Sequence, residues 1–85
     1  MSPDHAPRRS RVIMVEPALT QLTKLTASET HRLDRAIVAI SVNPDLGTEV
    51  PGTLLRDYTD EIDGIRLIYY VTALRAITIL AYVEA

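Results

Sequence analysis

The sequence predicts an α+β fold in the order β-α-α-β-β-β, with two helices packed on one face of a mainly antiparallel sheet. Two observations carry this. Apolar residues recur at helical spacing between Pro17 and Asn43, then in β-branched runs after Gly52. The connections between those later runs are short, which favours antiparallel neighbours over parallel strands with long crossovers.

The first element is "RVIMV", Arg11 to Val15, an apolar β-branched strand followed by Glu16-Pro17, where proline suits the first turn of a helix. Leu19, Leu22 and Leu25 then recur every three residues and predict a short helix with one leucine stripe. Thr26 and Glu29 have the spacing of a capping box, so a second helix starts there. Its core stripe is Leu33, Ala36, Ile37 and Ile40, while His31, Arg32, Asp34 and Arg35 lie mostly off it. Asn43-Pro44 ends it, because the residue before proline is pushed out of the helical region.

Asp45 to Gly52, "DLGTEVPG", reads as a surface loop. Three strands follow: "TLLRDY" from Thr53 to Tyr58, "GIRLIYYV" from Gly64 to Val71 and "RAITILAYV" from Arg75 to Val83. Turns around Thr59 to Asp63 and Thr72 to Leu74 join them. Alternation along "GIRLIYYV" sends Ile65, Leu67, Tyr69 and Val71 under the helices and leaves Arg66, Ile68 and Tyr70 on the open face.

Composition narrows the function classes. The 85 residues, 47% hydrophobic and 24% charged, suit one domain, expected over residues 11–85 behind a flexible basic tail at 1–10. There is no cysteine, so thiolate metal sites, disulfides and cysteine nucleophiles are excluded. No run of about 18 apolar residues suggests a membrane span, and a cytoplasmic home is expected. The formal charge of −2 includes the arginines of the tail, so the folded part is more acidic than the total. Asp57, Asp60, Glu61 and Asp63 have no metal-ligand spacing and read as a solvated acidic turn; no metal or other cofactor is expected. His31 reads as a surface residue, and Tyr69 as a core tyrosine with its hydroxyl at the edge. Arg66 has two readings, a phosphate-facing cation or a surface arginine paired across strands with Asp57 or Glu61.

The segments "RLDRAIVAISVNPDLG" (Arg32 to Gly47), "LLRDYTDEIDGIRLIYYV" (Leu54 to Val71) and "AITILAYVEA" (Ala76 to Ala85) give the chain a family resemblance. It resembles the RelE/ParE superfamily of type II toxin-antitoxin toxins over about residues 11 to 85. The resemblance implies a RelE-like fold, a cognate antitoxin as partner, and one of two activities. The activity expected first is that of the branch that cuts mRNA on the ribosome, an endoribonuclease that inhibits translation; the alternative is that of the ParE branch, which inhibits DNA gyrase without being an enzyme. A degenerate module that only binds antitoxin is the third reading. In the mRNA-cutting branch the strand arginine lies at the active site on the open face, and Arg66 matches it.

RNA cleavage through its own 2′-hydroxyl needs a group to take that proton, a cation against the phosphorane charge and an acid for the leaving oxygen. Arg66 suits the cation role because its planar fork pairs two phosphate oxygens. Arg56 is the candidate helper if its side chain shares that face. Tyr70 and Tyr82 are candidates for base stacking, with Tyr82 also the candidate acid.

Overall fold

In a computed structural model, residues 10–73 and 75–85 are described. The elements run β1 (Arg11–Met14), α1 (Ala18–Leu22), α2 (Ala27–Val42), a 3-10 turn (Pro44–Leu46), β2 (Thr48–Glu49), β3 (Arg56–Asp60), β4 (Ile65–Val71) and β5 (Ile77–Glu84). The five strands form one mixed sheet in the order β1-β5-β4-β3-β2. Strand β1 pairs parallel to β5, and every other pairing is antiparallel. The whole chain between them, both helices and β2 to β4, makes the long connection that a parallel pair needs.

Helix α2 begins as its sequence dictates. Thr26 Oγ1 accepts from Glu29 N at 3.1 Å, and Glu29 Oε1 accepts from Thr26 N at 2.8 Å, so both members of the capping box are made. Its buried stripe is Leu33, Ala36 and Ile40, with Ile37 packed at the border. These meet Ile65, Leu67 and Tyr69 of β4 and Leu80 and Val83 of β5 in the core.

The first helix departs from its expected stripe. Ala18 is buried, whereas Leu19 is 45% exposed; Leu22 and Leu25 pack on the core as expected. The helix is only five residues long. Its facing side is therefore set by its ties to the sheet, where Val15 N donates to Leu80 O and Val83 N donates to Gln21 Oε1.

The strands differ from the sequence reading chiefly before β4, while β5 is shifted to Ile77–Glu84 from the expected Arg75–Val83. The expected loop Asp45–Gly52 contains β2, which pairs Thr48 with Asp57 and Glu49 with Arg56. Strand β3 starts at Arg56 rather than Thr53, because Val50 to Leu55 closes as a turn: Val50 N donates to Leu55 O, and Thr53 Oγ1 donates to Val50 O while accepting from Leu55 N. Only long-range anchoring brings β2 alongside. Tyr69 Oη accepts from Gly47 N at 2.9 Å and donates to Pro44 O at 2.7 Å, and Arg56 Nη1 donates to Gly47 O at 2.6 Å.

Residues 1–9 of the expected tail and Leu74 of the expected last turn lie outside the described residues. Ser10, assigned to the tail by its sequence, is buried instead. Its N–H donates to Ser41 O at 2.8 Å and its hydroxyl shares a 2.7 Å hydrogen bond with Thr78, which ties it to the end of α2 and to β5. Among the described residues, no helix is long and apolar enough to cross a membrane.

Candidate functional site

Both helices lie on one side of the sheet, and strand register then fixes what the other side displays. Opposed residues on paired strands share a face. Four rows result across the open face. Arg11 and Ile77 form the first, Ile13, Ile79 and Tyr70 the second, Thr48, Asp57, Ile68 and Tyr82 the third, and Thr59, Arg66 and Glu84 the fourth. A bulge in β5 opposite Ile68/Tyr69 shifts the alternation, which is why Tyr82 and Glu84 join Ile79 on this side. The face is thus apolar and aromatic around Ile13, Ile79 and Tyr70, with Arg11 at one end and Asp57, Arg66 and Glu84 toward the other.

Arg66 is on the open face, as alternation predicts, and it is engaged. Its Nε donates to Asp57 Oδ1 and Oδ2 at 3.1 and 3.2 Å, and its Nη2 to Oδ2 at 2.7 Å. Glu84 adds a longer contact, 3.7 Å from Nη1 to Oε1. The hydrogen bonds from Arg66 hold the Asp57 carboxyl below its ordinary value, against the opposing effect of burial. The same bonds raise Arg66, so the guanidinium stays charged.

Tyr82 donates its hydroxyl to Glu84 Oε1 at 2.9 Å, and that bond is the main cause that pushes its phenol above the ordinary value. A proton held in this way is harder to release, which weakens Tyr82 as an acid. Tyr70 lies on the same face, opposite Ile79.

Arg56 does not join them. It opposes Tyr69, a residue of the helix side, and its guanidinium donates to Gly47 O and reaches Glu49 Oε1 at 3.4 Å and Asp45 Oδ1 at 3.5 Å. The condition for its assistance, a shared face with Arg66, is not met. Of the acidic turn, Asp63 takes a bidentate pair from Arg35 of α2 at 3.0 and 2.7 Å, which holds its carboxyl below the ordinary value. Asp60 Oδ1 accepts from Ile62 N and Asp63 N. These two carboxylates brace the turn.

The spacing Asp57-x8-Arg66 hinted at the cross-strand pair. Nothing local hinted at Glu84, because its place beside Arg66 depends on the bulge. The apolar contribution of Ile13 and Ile79 was equally hidden, since it needs the parallel register of β1 on β5.

No family model matches the chain, and no curated protein does. Solved structures do. The intact E. coli RelBE toxin-antitoxin complex aligns with TM-score 0.74 at 19% identity, covering 88% of this chain and 94% of that one. The isolated E. coli RelE toxin aligns with TM-score 0.73 at 19% identity over 88% and 82% of the two chains. A RelE mutant in complex with an antitoxin RelBc peptide aligns with TM-score 0.72 at 21% identity over 91% and 86%. With two helices against one face of a five-stranded mixed sheet, this chain has the RelE fold.

Proposed function

We propose that this chain is the toxin of a type II toxin-antitoxin pair, restrained by a cognate antitoxin, and that it acts by occupying a protein target with its open sheet face. The likeness to RelE structures that include an antitoxin supports the pairing. The mode of action rests on the Asp57–Arg66 ion pair. With Glu84 beside it, two carboxylates surround one guanidinium, so this end of the face offers no surplus positive charge. RNA binding draws most of its non-specific affinity from phosphate neutralisation. A protein target needs no such surplus, and DNA gyrase, the target that the ParE resemblance implies, is the first to try.

Ribosome-dependent cutting of mRNA is the second reading, favoured by the place of Arg66 among Ile68, Tyr70 and Tyr82 on one face. An exposed ion pair contributes at most about 1 kcal/mol, so an incoming phosphate can displace Asp57. Arg66 would then clamp the phosphate, and the tyrosines would stack on splayed bases.

Induction of the chain in a bacterial host separates the two. Growth arrest relieved by the product of an adjacent antitoxin gene is expected, with DNA-damage signalling and intact mRNA by primer extension. Cuts in the ribosomal A site that vanish in Arg66→Ala would replace the first reading by the second. Normal growth at high expression would remove the toxin assignment.

A further inference from the structure

The open sheet face carries more than its ion pair. Ile13, Ile68, Tyr70, Ile77, Ile79 and Tyr82 all lie on it, and none of them packs against the core beneath the helices. A sheet with one face in water ordinarily turns polar residues to that side. Here Ile13 is 37% exposed and the other five are half-buried, so a contiguous apolar patch borders solvent.

The two ends of the patch differ in charge. Arg11, opposite Ile77, is exposed at one end and makes no ion pair with another described residue. At the other end Asp57 and Glu84 flank Arg66, and two carboxylates against one guanidinium leave one negative charge in surplus. The Glu84 side chain is 55% exposed, so that charge is open to a partner. Ile77 and Glu84 stand at the two ends of β5, which sets the charges about 23 Å apart at the ordinary rise of a strand.

A strip that is apolar in the middle and opposite in charge at its ends is complementary to its own copy turned end for end. We propose that the chain self-associates through this face, two copies stacked sheet on sheet about a two-fold axis that runs across the strands. Arg11 of each copy then lies over the Glu84 and Asp57 end of the other, and the apolar centres meet. The isologous pair makes both charge contacts at once, whereas an unrelated partner has to supply a matching strip of its own. Stacked sheets interdigitate about 10 Å apart, so no backbone hydrogen bond is given up and Asp57 keeps Arg66. The strip spans about 20 Å across four strands, and each copy buries on the order of 450 Å². A total of about 900 Å² lies at the weak end of specific interfaces, so the pair forms only at high concentration and then covers Arg66, Tyr70 and Tyr82. This inference does not rest on the toxin reading.

Sedimentation velocity over a micromolar to millimolar series tests it with the wild-type chain, Ile79→Thr, Arg11→Glu, Glu84→Arg and the double variant Arg11→Glu/Glu84→Arg. Circular dichroism checks that each fold is kept. The wild type is expected to dimerise in the upper part of that range. Each charge reversal sets like charges against each other at both ends of the pair and is expected to weaken association at least about tenfold, as is Ile79→Thr at the centre. The double variant has the net charge of the wild type and restores opposite charges at both ends, so it is expected to regain dimer. A wild type that stays monomeric throughout, single variants that dimerise normally, or a double variant no better than the single reversals would each overturn the proposal.

Discussion

Asp57 grips Arg66 through three contacts of 2.7 to 3.2 Å, and this pair decides the character of the open sheet face. The guanidinium that would have met a phosphate meets a carboxylate of its own chain. Because Asp57 is held below its ordinary pKa, it contributes stability above the unfolded value of about 3.9, and that contribution is lost as pH falls through the folded value. Thermal unfolding of the wild type is expected to weaken more steeply below about pH 4 than that of Asp57→Asn. Solvent screening of this half-exposed pair keeps the difference under about 1 kcal/mol. Parallel pH profiles would show that the pair contributes nothing.

The same variant discriminates between the two modes of action. If phosphate competes with Asp57 for Arg66, Asp57→Asn binds a labelled single-stranded oligoribonucleotide more tightly than wild type in fluorescence anisotropy, and Arg66→Ala binds it least. If a protein target is bound, oligoribonucleotide binding stays weak in all three, while Asp57→Asn and Arg66→Ala both lose growth arrest.

Gly47 is a glycine for room, not for backbone freedom, since its φ is −69°. A Cβ there would sit 2.8 Å from Tyr69 Oη and 2.9 Å from Arg56 Cβ. Gly47→Ala should destabilise the fold by about 1–3 kcal/mol through this clash. Tyr69→Phe removes the hydroxyl that serves Gly47 N and Pro44 O and should cost about 1–3 kcal/mol. Urea unfolding measures both; a loss under 0.5 kcal/mol (order of magnitude, about the noise of surface changes) would deny the anchor its role.

Ser10 and Thr78 share a buried hydroxyl pair. Thr78→Val strands the Ser10 hydroxyl and should cost about 1–3 kcal/mol, whereas the double variant Ser10→Ala/Thr78→Val should recover much of that loss. Additive losses in the double-mutant cycle would mean that the two hydroxyls do not act as a pair.

Much of this fold is written locally. The Thr26/Glu29 capping box, the stop at Asn43-Pro44, the stripe of Leu33, Ala36 and Ile40, and the alternation that turns Arg66 away from Leu67 all follow from spacing along the chain, because helix and strand periods act over a few residues. Other features depend on contacts between distant segments. Strand β2 exists because Tyr69 and Arg56 hold Gly47, 22 and 9 residues away from it. Arg56 turns from the open face because its register opposes Tyr69. Leu19 faces water because a five-residue helix is oriented by its tethers to β5 rather than by its own stripe. Glu84 reaches Arg66 only through the bulge in β5. The sequence alone determined that two helices and the main strands form, and in what order, since those choices are short-range. Tertiary structure decided the company Arg66 keeps, because charge neutralisation across strands requires a register that no local pattern encodes.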